Sequence, residues 1–254
     1  MSSLKIIKDE TLVQAVGRFL ERPEVAAGLA WLHKHLPGMA EVYVAGGALR
    51  NIVIATLHGR GPPTRDIDLF IGGLDRDFSL PDLLHDQQAE PTDLKGVRWH
   101  PGGADLAFDL CLLPDFLVID TGKLEPSLES LLASIDFTMN AIVYDDRRQR
   151  LVERGCRAAV REQVIDFNCR LIPDKGLIAY RILHLAHKTG FALAAPVFEF
   201  VRQRIDLETL THLKGLLQSK LGKTTAGVIM AEYNRLCHCH TYADYRARER
   251  GTSA

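Results

Sequence analysis

The sequence has few of the features that would assign a protein to a class at once. Its five cysteines are odd in number and scattered, which argues against a disulfide framework and fits a reducing compartment. No apolar run is long enough to cross a bilayer, and the first residues hold no apolar stretch of signal-peptide length. We therefore expect a cytoplasmic protein with no membrane partner.

The net charge of −1 over 254 residues is nearly zero, but it conceals an asymmetry. Residues 1–170 carry 19 Lys and Arg against 25 Asp and Glu, whereas residues 171–254 carry 12 against 7. A basic C-terminal part can face a phosphate backbone, although a solvated helical face shows the same excess.

The hydrophobic pattern divides the chain into a strand-rich front and a helical end. Strands are predicted at 42–45, 67–71, 106–113 and 141–144, and more weakly at 151–152 and 164–165. Helices are predicted at 10–36 (with a second helix opened by Pro23), 48–57, 128–132, 175–189, 196–213 and 217–240. Residues 81–103 are poorly patterned, and residues 246–254 are expected to fray. The pattern predicts an α+β head at 1–170 and a helical segment at 171–254, joined near 168–174.

The strongest chemical signal is Asp66-Ile67-Asp68 on a predicted strand. Residues two apart on a strand project from the same face, so the two carboxylates repel each other. A bound divalent cation would offset this repulsion, because Mg²⁺ is held by one or two carboxylates and completes its coordination shell with phosphates and water. The pattern predicts a Mg²⁺ or Mn²⁺ site, with two solvated acids at a strand end as the alternative.

A glycine turn precedes the acidic pair by twenty residues. Gly46 and Gly47 follow a predicted strand and open a predicted helix, so their backbone N–H groups can approach phosphate oxygens. Arg50, one turn into that helix, is predicted to reach the same phosphates. A plain strand-to-helix turn is the alternative, but a glycine turn followed by an acidic pair is rarer than either feature alone.

A third acid fits the same scheme. Asp109 is flanked by Phe108 and Leu110, and a carboxylate there is costly unless it is paired or binds a cation. Antiparallel pairing of the two strands would bring it beside Asp66 and Asp68. The three acids would then suit two metal ions, with Asp109 as third ligand or base. Asp105 competes with Asp109 for this place.

Three stretches together resemble tRNA CCA-adding enzymes and bacterial poly(A) polymerases, of the DNA polymerase β-like nucleotidyltransferase superfamily. The first stretch is VYVAGGALRNIVIATLHGRGPPTRDIDLFI at 42–71, and the second is SIDFTMNA at 134–141. The third and weaker one is YRILHLAHKTGF at 180–191, which is similar to the family's neck helix. The resemblance covers residues 40–191 and implies a nucleotidyltransferase head with a small mixed sheet, followed by a helical neck.

The resemblance also implies roles for individual residues. Asp66 and Asp68 would hold the metal, while Gly46 and Gly47 would meet the triphosphate. The remaining implied nucleotide contacts are Arg50 at the phosphates, Asp136 and Asn140 at the sugar or in ordering their loop, and Arg181 from the neck. A short polar side chain such as Asp136 can instead serve only as a turn or helix cap.

The chain departs from the family at several positions. Asn51 replaces the usual Asp after the arginine, and Ser134 and Ile135 replace two arginines before Asp136. In the segment that reads the base, Lys175 and Ile178 stand in place of the templating Asp and Arg. His184 stands where the neck usually has a second arginine. The motif implied to bind the metal is kept, whereas the two residues by which the family selects a base are replaced.

The expected activity is transfer of a nucleoside monophosphate from an NTP, ATP or CTP, to a hydroxyl with release of pyrophosphate. The favoured acceptor is a tRNA-like RNA 3′ end, held by the basic segment, a second copy of the chain or a partner protein. Two alternatives stay open. One is a protein or small-molecule acceptor, and the other is a catalytically silent nucleotide-binding module.

Overall fold

The computed structural model describes residues 4–92, 95–169, 171–172 and 174–252, with side chains described as far as residue 248. Residues 170 and 173 of the predicted join, and 253–254 of the end expected to fray, lie outside the described residues. The chain divides into two compact units, 1–161 and 162–254. The assignment of a catalytic head to 1–170 and a neck to 171–254 stays a prediction.

The first unit alternates helices and short strands along the chain. Its helices are α1 Glu10–Leu20, α2 Pro23–His35, α3 Gly47–His58, α4 Leu80–Leu83, α5 Leu117–Gly122, α6 Leu128–Ser134 and α7 Cys156–Arg161. Its strands are β1 Lys5–Ile6, β2 Glu41–Ala45, β3 Asp66–Gly72, β4 Ala89–Pro91, β5 Val97–Trp99, β6 Ala107–Leu112, β7 Ile142–Asp145 and β8 Arg150–Glu153. Short 3-10 turns lie at Pro101–Gly103, Leu113–Asp115 and Thr138–Asn140.

Within the described residues, eight strands form one mixed sheet in the order β1-β8-β7-β2-β3-β6-β5-β4. All neighbouring pairs in it are antiparallel except β3 and β6, which run parallel. Strands β3, β5 and most of β6 alternate between buried apolar residues and more exposed ones, as period-two patterning requires, whereas β2 is buried along residues 42–45. In β3, Ile67, Leu69 and Ile71 are fully buried, whereas Asp66 is exposed and Asp68 is half-buried. The acids therefore lie on the more open face of the sheet.

Helix packing on the buried face fixes the position of the central strands. The ring of Phe108 on β6 lies against α2 at Gly28, where an added Cβ would come within 2.6 Å of the ring. Trp99 on β5 packs between Trp31 of α2 and Phe108, with ring centroids 4.9 and 5.6 Å away. Aromatic burial of this kind is a large source of stability, so it holds β5 and β6 in register next to β3.

The second unit is mostly helical. It contains the two-stranded parallel pair of β9 Val164–Ile165 and β10 Ala192–Leu193, and helices α8 Lys175–Thr189, α9 Ala195–Gln203, α10 Leu207–Cys237 and α11 Tyr242–Thr252. Helix α10 is broken at Gly222, whose φ of 77° and ψ of 163° are not helical. Helix α8 lies so close to α10 that a Cβ on Gly176 would be 2.4 Å from Nδ1 of His212.

The predicted α+β class and mixed sheet are confirmed, with several corrections to the elements. The helix predicted at 196–213 is two helices, because α9 ends at Gln203 and Asp206 caps α10 by accepting from the N–H of Thr209 at 2.8 Å. The end expected to fray from residue 246 is helical through Thr252. The poorly patterned segment 81–103 holds α4 and the hairpin of β4 and β5.

Candidate active site

Strand register brings the predicted acids together. Asp68 on β3 is directly paired with Ala45 on β2 and with Asp109 on β6. The prediction of antiparallel pairing between β3 and β6 is wrong, because the chain crosses over through 81–103 and returns parallel. Asp109 nevertheless neighbours Asp68, because the two residues are level in the register. Asp105 is exposed in the turn before β6 and outside the sheet.

The glycine turn is in direct contact with Asp68. Gly46 directly follows β2, adopts a φ of 73° and a ψ of −137°, and is the N-terminal cap of α3. The N–H of Gly47 donates to Oδ2 of Asp68 at 3.3 Å. An added Cβ on Gly46 would lie 2.2 Å from the same oxygen. The first turn of α3, which favours anions, thus begins at the carboxylate of Asp68.

Arg50 is placed differently from the expectation. Its guanidinium is buried, with the residue only 5% exposed, and donates to Oδ1 of Asn51 and, at 2.8 Å, to Oδ1 of Asn140. Nδ2 of Asn140 in turn donates to Oδ1 of Asp136 at 3.0 Å. Arg50 therefore ties α3 to the 136–140 loop, and a contact of its guanidinium with phosphate stays a prediction that this burial does not favour.

The same network accounts for Asn51, one of the residues at which the sequence departs from the pattern of CCA-adding enzymes. Its Oδ1 accepts two bonds from Arg50, and its Nδ2 donates to the carbonyl oxygen of Pro63 at 3.3 Å and to Oγ1 of Thr64 at 3.4 Å. An amide can accept and donate at once, whereas a carboxylate only accepts. Asn51 thereby links α3 to the loop that leads into Asp66.

Asp136 and Asn140 lie in one turn. Oδ1 of Asp136 accepts from the backbone N–H of Phe137 at 2.8 Å as well as from Asn140. This is the local role that a short acid often has after a helix. It orders the loop, in keeping with one of the two implied roles, and a contact with the sugar stays a prediction.

Sequence reasoning missed Arg98, the cation of this site. Arg98 on β5 is level with Asp109 in the register, and its Nε and Nη2 donate to the two carboxylate oxygens of Asp109 at 2.8 and 2.7 Å. This pair raises the pKa of Arg98 above its usual value, chiefly through the hydrogen bond to Asp109, with smaller attraction from Asp66 and Glu90. The sequence signal that could have found it is the alternation of apolar Val97, charged Arg98 and apolar Trp99, which is typical of a strand with Arg98 on its more open face.

The donor set fits one divalent ion better than the predicted three-acid arrangement. Among the residues that the structure describes, no three His, Cys, Asp or Glu side chains converge as ligands of one ion. Both oxygens of Asp109 are engaged by Arg98, whereas Asp66 and Asp68 project from the same face of β3. Two carboxylates suffice to bind Mg²⁺, because phosphate oxygens and water complete its coordination shell.

The residues that align with the base-reading segment of CCA-adding enzymes lie at the start of α8 in the second unit. Asp174 caps this helix by accepting from the N–H of Leu177 at 2.9 Å, and Lys175 is exposed. Ile178, in place of the templating arginine, is buried with 9% exposure. Arg181 is exposed on the same helix, and His184 lies 3.3 Å from the hydroxyl of Tyr180. The predicted contact of Arg181 with nucleotide stays a prediction.

Comparisons with known proteins identify the fold. A CCA-adding enzyme in complex with ATP has a TM-score of 0.63 at 16% identity, over 93% of this chain and 55% of that one. A CCA-adding enzyme in complex with CTP has a TM-score of 0.62 at 18% identity, over 92% of this chain and 56% of that one. The Thermotoga maritima CCA-adding enzyme complexed with tRNA has a TM-score of 0.60 at 18% identity, over 92% of this chain and 55% of that one. The resemblance inferred from the motifs is thus confirmed at the level of the fold.

No protein-family model matches the chain, and no curated protein matches it. The chain spans about half the length of the solved structures to which it is similar. Within the described residues, none of the helices combines the length and apolar character that a membrane span needs.

Proposed function

We propose that the chain is a metal-dependent nucleotidyltransferase that moves a nucleoside monophosphate from an NTP to the 3′ hydroxyl of an RNA. The observation that carries the proposal is the contact between Asp68 and the N–H of Gly47 at the start of α3. It sets a carboxylate for a metal beside an N-terminal turn suited to phosphate. The fold shared with CCA-adding enzymes supports the same reaction class.

In the proposed reaction, the acceptor oxygen bonds to the α-phosphorus, and the bond from that phosphorus to the bridging oxygen breaks. Pyrophosphate leaves with the electron pair, and the hydroxyl proton passes to a base or to water. Asp66 and Asp68 would hold Mg²⁺ or Mn²⁺, which supplies charge compensation for the triphosphate. The N–H groups of Gly46 and Gly47 orient the phosphates, and Arg50 keeps the 136–140 loop in place through Asn140.

An RNA acceptor is supported by two observations. Residues 171–254 carry an excess of five positive charges, which suits a phosphate backbone. One solved structure with this fold is a CCA-adding enzyme complexed with tRNA. The chain spans about half the length of that structure. The basic segment, a second copy of the chain or a partner protein would hold the RNA. Structures with ATP and with CTP make these two NTPs the first to test.

A second candidate keeps the reaction and changes the acceptor to a protein or small molecule. Ile178 favours it, because a buried aliphatic side chain cannot form the hydrogen bonds with which an arginine reads a base. A silent nucleotide-binding module is the third candidate. The pair of Asp66 and Asp68 on one face of β3 argues against it, since two carboxylates so close together are unfavourable without a cation.

The deciding experiment incubates the protein with each α-labelled NTP, Mg²⁺ and total RNA, and follows the label into RNA, protein and small molecules. Asp68→Asn keeps the shape of the side chain and removes its charge, so incorporation should vanish. Asp86→Asn is the matched control, because that side chain is 82% exposed, and it should retain activity. Label in protein or small molecules would support the second candidate. Absence of metal-dependent turnover under every condition would contradict the proposed reaction.

A further inference from the structure

The acidic site contains an internal cation. The guanidinium of Arg98 engages both oxygens of Asp109 in a two-pronged pair, and its side chain is 40% exposed while that of Asp109 is 25% exposed. Asp109 is level with Asp68 on one side and with Arg98 on the other. A metal centre that used all three acids would therefore have to form beside a permanent positive charge.

We propose that Arg98 takes the place of a second metal ion, so that the site binds a single divalent ion through Asp66 and Asp68. This inference rests on the proposed metal-dependent function. The guanidinium lies 2.8 and 2.7 Å from the two carboxylate oxygens of Asp109. A metal ion bound to either oxygen would therefore lie within a few Å of a like charge, which repels it. Arginine stays protonated throughout the working pH range, so the repulsion is not relieved by loss of a proton.

Charge balance points the same way. One guanidinium among three carboxylates leaves two uncompensated negative charges, which one divalent ion neutralises. Attraction to Asp66 also raises the pKa of the guanidinium, so the arginine acts on Asp66 as well as on Asp109, and on Asp109 most of all.

The inference changes how the acceptor hydroxyl would be activated. Two ions about 3.5–4 Å apart usually stabilise the attacking and leaving oxygens together. Here the acceptor side would face the pair of Arg98 and Asp109 instead of an ion. Arg98 is thus a positioning residue that sets the number of metal ions. A purely structural role for the pair would leave that number unchanged.

The test is the electron paramagnetic resonance spectrum of protein-bound Mn²⁺ with a non-hydrolysable ATP analogue. Wild-type protein should show isolated Mn²⁺. Arg98→Met frees Asp109 and should show the spin-coupled spectrum of two neighbouring ions, and Arg98→Met with Asp109→Asn should return to the isolated spectrum. Arg76→Met is the matched control, because Arg76 pairs with Asp120 beyond the opposite end of β3.

A coupled pair in the wild-type protein would overturn the inference. An isolated spectrum in a folded Arg98→Met variant, with wild-type circular dichroism and thermal unfolding, would also overturn it. If no variant and no wild-type sample bound Mn²⁺, the proposed metal-dependent function would fail as well. Failure of the inference alone is thus distinguishable from failure of the function.

Discussion

Replacement of Gly46 by alanine tests the contact between the glycine turn and Asp68. The new Cβ would lie 2.2 Å from Oδ2 of Asp68, whereas ordinary contacts begin near 3.4 Å. The carboxylate must therefore move by about 1 Å, and a misplacement of that size in a catalytic group can cost about 10²-fold in rate. The backbone conformation of Gly46 is also one that only glycine adopts readily, at a cost of about 1–3 kcal/mol.

Gly59→Ala is the control that separates the effect of backbone strain from the effect of displacing the Asp68 carboxylate. Gly59 caps the other end of α3 with a φ of 75°, and nothing lies within 4 Å of the Cβ it would gain. It should lower the free energy of unfolding by about 1 kcal/mol, because alanine in the left-handed region is strained, and leave activity intact.

The assay is incorporation of labelled nucleotide at saturating Mg²⁺, together with urea unfolding of both variants. Gly46→Ala should lose about 10²-fold or more in activity beyond any loss in stability, while Gly59→Ala retains wild-type turnover. Equal activity of the two variants would show that the position of Asp68 against the turn does not matter.

Three further predictions concern the supports of the site and of the second unit. Asn140→Ala removes the acceptor of Nη1 of buried Arg50 and should lower the free energy of unfolding by about 1–3 kcal/mol in urea; an unchanged midpoint would contradict the network. Gly176→Ala should destabilise by a similar amount through overpacking against His212, whereas Gly215→Ala, with open space, should stabilise by up to about 1 kcal/mol. Burial raises the pKa of Cys111 to about 12, so its thiol should resist alkylation at pH 8 in native protein and react in urea. The free energy of unfolding should also fall as pH rises from about 9 towards 12, because in that range the Cys111 thiol ionises only in the unfolded state. Fast alkylation of Cys111 in the native protein at pH 8 would refute the raised pKa.

The acids and the glycine turn were predictable because each depends on local pattern. A strand that leads through two glycines into a helix, followed by acids two residues apart, specifies its own geometry with little help from the rest of the chain. The structure places these elements in contact through the pairing of β2 with β3.

The surroundings of the acids were not predictable in the same way. The direction of β6 depends on the crossover through 81–103, whose short elements carry little periodic signal, so Asp109 was expected from an antiparallel strand. Arg98 was missed for the same reason. The burial of Arg50 depends on Asn140, ninety residues away, and no local pattern reports such a partner.

The boundaries of the last helices show the limit of periodicity. Apolar spacing continues across Arg204 and Asp206, although Asp206 caps a new helix there. It also continues past Gly222, where the backbone turns out of the helical region. A cap or a single glycine changes the backbone without disturbing the spacing of apolar residues.

The most direct test is a crystal structure of the protein soaked with Mn²⁺ and a non-hydrolysable ATP analogue, read by anomalous scattering from the metal. We expect one strong Mn²⁺ peak within coordination distance of Asp66 and Asp68, and triphosphate oxygens at the N–H groups of Gly46 and Gly47. A metal peak away from these carboxylates, or a triphosphate bound elsewhere, would contradict the assignment of this site.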